Sequence, residues 1–101
     1  MRIIVLFNLR PEVSAADYEA WARTTDIPVV NDLPSIEAFS VHKATGVLGS
    51  DATPPYEYVE IVDVADMDGF GRDVSTETMK KIAAEFQALA DKPIFVTTTS
   101  L

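Results

Sequence analysis

Residues Arg2 to Leu9, RIIVLFNL, make a short β-branched and aromatic run ended by Arg10-Pro11, the pattern of a β-strand. Alternation puts Ile3, Val5 and Phe7 on one face and Ile4 and Leu6 on the other. A strand apolar on both faces needs cover on both. Ser14 then stands as a helix N-cap with Asp17 three residues on, a variant of the capping box. Tyr18, Trp21 and Ala22 form a narrow apolar stripe at helical spacing. Asp26-Ile27-Pro28 interrupts that stripe, because proline suits a helix's first turn and not its interior. A second short helix is expected from Pro28 to Leu33, ended by Pro34.

Strand patterns recur at Ile36–Ala44 and Tyr56–Val64, and the stretch Thr45–Pro55 between them is too long for a tight hairpin. Asp66 to Phe70 suits a short helical turn. A stronger helix follows, with Ser75 as N-cap and Val74 facing Met79 as a hydrophobic staple. Met79, Ile82, Ala83, Phe86, Leu89 and Ala90 repeat at three and four. Asp91-Lys92-Pro93 stops that helix, and Ile94–Thr99 forms the last strand. The order β-α-β-β-α-β defines an α+β fold, the ferredoxin-like split pattern, as a single domain over residues 1–101. Both helices then cover one face of a four-stranded antiparallel sheet. The other face would carry Ile4, Leu6, Ala38, Val62 and Val64, too apolar for water, so a homodimer with two such sheets packed face to face is expected.

Composition narrows the functions. Sixteen Asp and Glu against eight Lys and Arg give a net charge of −8, which leaves no basic surplus for nucleic acid or an anionic membrane surface. The absence of cysteine removes disulfides, thiolate nucleophiles and Cys-based zinc or iron–sulfur sites. A single histidine argues against haem or a multi-histidine metal site, and neither metal nor cofactor is expected. The amino-terminal apolar run is too short to span a bilayer and lacks a cleavage motif, so a cytoplasmic location is expected.

With Ile3, Val5, Phe7, Phe39, Val41, Val59 and Ile61 assigned to the helix side, parity puts Asn8, Ser40, His42, Tyr56, Tyr58 and Glu60 on the second face. Polar groups on an apolar wall must pair, bind a ligand or reach solvent. His42 is the candidate general acid/base, with Tyr58 and Glu60 as catalytic assistants. The bland alternatives are a strand-end histidine touching solvent or a backbone carbonyl, and a glutamate near a dimer edge paired with Lys43 or with an arginine of the second copy. Tyr56 offers an aromatic wall, and Asn8 either polarises a carbonyl or closes the end of the first strand. Ser40 completes the candidate binding set with Trp21, which belongs to the helix–sheet core or reaches a pocket rim. Gly46, Gly49, Ser50 and Asp51 do not form a phosphate loop, since no lysine follows and no helix starts there. Asp63, Asp66 and Asp68 lack calcium-loop spacing.

MRIIVLFNL at the start, DIPVVNDLPSI after the first helix, and TGVLGSDATPPYEYVEI resemble the REDY-like (HapK) proteins over the length of the chain. That resemblance implies the dimeric α/β-barrel superfamily, in which two ferredoxin-like sheets pair. It also implies a link to secondary-metabolite pathways of the prodiginine or bis-indole type. The expected function is that of a small cofactor-independent enzyme acting by acid/base chemistry on a small hydrophobic, aromatic or heteroaromatic intermediate. The alternative is a binding or carrier protein that holds a reactive intermediate without chemistry.

Overall fold

The computed structural model describes residues 1–101. Its elements are β1 (Arg2–Leu9), α1 (Ala15–Trp21), a π-helical segment (Ala22–Asp26), α2 (Ile27–Asn31), β2 (Ile36–Lys43), β3 (Tyr58–Val64), α3 (Met67–Asp73), α4 (Glu77–Leu89) and β4 (Ala90–Thr98). The antiparallel sheet runs in the order β2-β3-β1-β4, the ferredoxin-like arrangement, and the helices cover one face.

Ser14 caps α1 by accepting from the Asp17 N–H at 3.1 Å. The helix does not break at Asp26 as the sequence pattern suggested. Pro28 has no N–H for the carbonyl four residues back, and its ring crowds that carbonyl. The winding instead widens into a π segment, in which Ile27 N–H bonds to Ala22 O, and continues as α2. Tyr18, Ala22, Asp26 and Val30, each four residues apart, are all buried along this unit.

Asn31, the last residue of α2, replaces a missing strand neighbour at the sheet edge. Its Oδ1 accepts from Phe39 N–H at 2.9 Å and its Nδ2 donates to Phe39 O at 2.9 Å. Both outward backbone groups of Phe39 in edge strand β2 are thus satisfied, and α2 is fixed over the sheet. Helix α3 sits close on the loop before β2. Ser35 N–H donates to Asp73 Oδ2 at 3.0 Å, and a Cβ on Gly69 would lie 2.7 Å from Asp66 Oδ2 and 3.4 Å from Ser35 Cβ.

Strand β3 begins at Tyr58 and not at Tyr56, so Tyr56 lies off the sheet, and the start of α4 and of β4 also differ from expectation. Thr76 caps α4, accepting from Met79 N–H, whereas the Ser75 hydroxyl bonds back to Gly71 O. Strand β4 begins at Ala90, four residues earlier than the Asp-Lys-Pro sequence suggested, because Lys92 takes a positive φ of 46° where the β1–β4 register shifts between Leu6 and Asn8. Pro93 is tolerated there because β4 is an edge strand.

Strand β3 turns the opposite face to the helices from the one its sequence pattern suggested. Tyr58 pairs with Phe7, Glu60 with Val5 and Val62 with Ile3, so Tyr58, Glu60, Val62 and Val64 face the helices. Val59, Ile61 and Asp63 occupy the opposite face. This parity buries three large side chains at the expense of one carboxyl, and leaves Asp63 outside to pair with Arg2 at 2.7 Å. Phe7, fully buried, stacks on Tyr58 at 5.6 Å and meets Tyr18 and Phe86 edge-on at 5.5 and 5.0 Å.

Candidate active site

The β3 parity redistributes the residues singled out from the sequence. Tyr58 and Glu60 point beneath the helices, while His42 and Ser40 stand on the far face, where Ser40 Oγ and His42 Nε2 lie 2.9 Å apart. His42 is exposed and does not converge with Tyr58 and Glu60 on one cavity. Asn8 closes the end of β1: its Oδ1 accepts from Glu57 N–H at 2.9 Å, and its Nδ2 donates to Pro55 O at 3.3 Å. Trp21 joins α1 to α4 through Nε1–H to Glu85 Oε2 at 3.0 Å, and its ring centre is 6.1 Å from that of Tyr18. Tyr56 is half-buried in the approach to β3, and neither it nor Trp21 lines the cavities under the helices.

The larger of these cavities has a volume of about 390 Å³ and lies between the sheet and α2, α3 and α4. Ile3, Val5, Phe39 and Val62 form its floor, and Val30, Phe70, Ile82 and Phe86 are among the side chains that roof it. Asp26 and Glu60 interrupt this apolar wall, each only 5% exposed. Glu60 Oε2 has no hydrogen-bond partner, and neither does the buried Tyr18 hydroxyl. Asp26 precedes α2 without making a side-chain cap.

Burial penalises the charged form of both carboxyls. Asp26 is pushed up to about 7 by desolvation alone. Glu60 is pushed up to about 8 by desolvation first and by the Asp26 charge second. The asymmetry follows the order of titration: Asp26 ionises while Glu60 is still neutral, and its charge then holds the second proton on. The Tyr18 hydroxyl is raised out of reach of ordinary pH by burial and by Glu60 and Asp26, so it remains a neutral donor. Near neutrality the cavity therefore holds one carboxyl that is largely protonated beside one that is partly ionised.

A smaller cavity of about 130 Å³ adjoins Tyr18 and Tyr58 on the Glu19 side. There Glu19 accepts from the Tyr58 hydroxyl at 2.7 Å, from Lys43 at 3.0 Å and from Arg23 at 3.4 Å. These donors hold Glu19 below its ordinary value, the Tyr58 hydroxyl foremost. The Tyr58 hydroxyl is raised by burial and by Glu19 and is already committed, so it orients Glu19 and does not address the larger cavity. No three His, Asp or Glu side chains gather as a metal site would require.

Sequence reasoning placed Glu60 among the candidates and passed over Asp26 and Tyr18. The signal was the four-residue stripe: continuing Tyr18 and Ala22 by two more steps reaches Asp26 and Val30. Asp-Ile-Pro reads locally as a helix break, which concealed it.

A family model described as REDY-like protein HapK matches residues 1–101. Among solved structures, HapK from Hahella chejuensis is 28% identical with a TM-score of 0.73, covering 100% of this chain and 95% of that one. SnoaB, a cofactor-independent oxygenase from Streptomyces nogalater solved as a point mutant, is 19% identical with a TM-score of 0.71, covering 99% and 93%. A dimeric ferredoxin-like protein from Thermobifida fusca is 19% identical with a TM-score of 0.70, covering 94% and 85%. No curated protein sequence matches the chain.

Proposed function

The chain belongs to the REDY-like HapK family, and from that premise we propose a cofactor-independent acid–base enzyme that shifts a proton within a hydrophobic, aromatic or heteroaromatic intermediate of secondary metabolism. Prodiginine-type and bis-indole pathways are the setting the family suggests. The observation that carries the reading is the pair of buried carboxyls, Asp26 and Glu60, facing one apolar cavity with no cationic partner. A buried polar group left unpaired costs about 1–3 kcal/mol. A core kept only for stability would place apolar side chains there, whereas a catalyst needs an acid and a base with separated affinities.

The chemistry balances within the pair. Asp26 carboxylate takes a proton from a C–H, N–H or O–H of the bound compound, and the Glu60 carboxyl gives one to a second position of the same conjugated system. The substrate leaves as its tautomer, and proton transfer from Asp26 back to Glu60 restores the starting state. The apolar walls lower the local dielectric and strengthen both steps. The oxygenase among the structural neighbours supports cofactor-free chemistry on this fold as an analogy only.

A suitable test is deuterium uptake from D₂O into β-tetralone, a bicyclic carbon acid, followed by NMR. The protein should accelerate exchange, Asp26→Asn should lower the rate about 100-fold or more, and Glu60→Gln should lower it by a smaller factor. Binding of β-tetralone without accelerated exchange would favour the carrier reading instead.

A homodimer completes the proposal. Ile4, Leu6, Val59, Ile61, Ile94 and Val96 make the second sheet face apolar, and Ile94 remains 45% exposed in the single chain. The dimeric ferredoxin-like neighbour from Thermobifida fusca supports the same arrangement. Two copies paired on this face would cover it, with Ser40, His42 and the loop Thr45–Pro55 toward the β2 side.

A further inference from the structure

We infer that the ligand of the larger cavity carries a basic nitrogen, and that anionic compounds are excluded from it. This rests on the reading of Asp26 and Glu60 as the working groups of that cavity. The polar side chains lining it are Asp26, Glu60, Gln87 and Thr97, with no lysine, arginine or histidine among them. Five of the chain's cations are paired elsewhere, Arg2 with Asp63, Arg23 and Lys43 with Glu19, Arg72 with Asp66, and Lys80 with Glu77, and Lys81 and Lys92 are not among the residues that line the cavity. Arg10 donates to the backbone carbonyl of Gln87, outside the carboxyl pair. No cationic side chain lines the cavity to neutralise the charge that appears when the pair ionises, and a buried unpaired carboxylate is costly. A carboxylate or phosphate ligand would add like charge to it.

The sheet register gives the direction of approach. Glu60, Val5 and Phe95 are cross-strand neighbours on β3, β1 and β4, so Phe95 lies about 10 Å from Glu60, two strand spacings away. Phe95 stands at the sheet edge, 56% exposed, with its ring centre 6.4 Å from that of Phe86. A flat ring system entering there would lie along Phe95, Phe86 and Val5 and bring its far end to Glu60. At that end a neutral imine or amine nitrogen takes the Glu60 proton: the O–H bond breaks, the N–H bond forms, and an ammonium or iminium is left against a carboxylate. The charge pair, held in a low-dielectric wall, supplies what the cavity lacks. Gln87 and Thr97 are the other donors that line the cavity, and the Tyr18 hydroxyl lies in the field of both acids.

Calorimetric titration at neutral pH with three bicyclic probes of similar outline tests this: aminoisoquinoline as the base, α-naphthol as the neutral compound and α-naphthoate as the anion. The base should bind at least about ten-fold more tightly than the naphthol, and the naphthoate should not bind. In the Asp26→Asn/Glu60→Gln double variant the base should fall to the level of the naphthol, whose own affinity should change less than about two-fold. Should the double variant not fold, Glu60→Gln alone should cut the preference about five-fold. Equal binding of base and naphthol, measurable binding of naphthoate, or a preference surviving the substitutions would overturn the inference. Tetralone exchange separates the two readings. Intact exchange without base preference leaves the acid–base enzyme standing, while base preference without exchange leaves a charge-selective binding cavity.

Discussion

Glu60 lies between Val5 and Val41 in the sheet, with Oε2 buried and unpartnered. Replacing it by leucine removes an uncompensated polar group and adds apolar contact. Glu60→Leu should therefore stabilise the protein by about 1–3 kcal/mol in chemical denaturation in mild acid, where the carboxyl is protonated in the fold, and abolish tetralone exchange. Phe7 offers the opposite case. It is fully buried at the junction of Tyr18, Tyr58 and Phe86, so Phe7→Ala should cost about 3–5 kcal/mol and loosen the positions of both tyrosines. Asp26 was the residue hardest to read from the sequence. Its polarity beside Ile27-Pro28 suggests a loop, and only the buried run Tyr18, Ala22, Asp26 and Val30 reveals a helix face that passes through it. In a regular helix each four-residue step drifts by about 40°, and the wider π turn takes back part of that drift.

Among the elements, the link between α2 and the edge strand bears most on the cavity. Asn31 satisfies both outward backbone groups of Phe39, so Asn31→Ala should cost about 2–3 kcal/mol and increase amide exchange at Phe39 above its neighbours. The first two strands were legible because β-branched and aromatic residues are bounded there by clear turn signals. Strand β3 was legible as a strand and not as a face. Tyr58, Val62 and Val64 alternate against Val59 and Ile61, and each set carries one acid, so hydrophobicity alone does not choose between them. Arg2 decides it by giving Asp63 a partner outside, and Phe7 by stacking on Tyr58, two contacts that depend on β1 lying beside β3. The early start of β4 depends in the same way on a bulge, because Asp-Lys-Pro carries a local stop signal that the edge position overrides. The three proposed catalytic residues separated for this one reason: Glu60 and Tyr58 went under the helices, and His42 stayed on the far face.

For the molecule as a whole, the buried carboxyls couple stability to pH. Their affinities in the fold, near 7 and 8, exceed the ordinary values of 3.8 and 4.5, so the folded state keeps protons that the unfolded chain releases. Stability should be greatest in mild acid and fall as pH rises toward 8, by up to about 3 kcal/mol per pH unit where both groups contribute. The Asp26→Asn/Glu60→Gln variant should flatten that limb in thermal melts. The dimer is tested at the same scale: sedimentation should give a dimer for the native chain and a monomer for Ile61→Glu, which places a charge on the apolar face. Asp26 and Glu60 are held to form a proton-holding pair in one largely apolar cavity. A carbon-13 NMR titration of the two carboxyls tests it most directly. Glu60 should titrate near 8 and Asp26 near 7, with Glu60 moving down in Asp26→Asn. Titration of either carboxyl in the ordinary range near 4, or a Glu60 titration indifferent to Asp26, would contradict it.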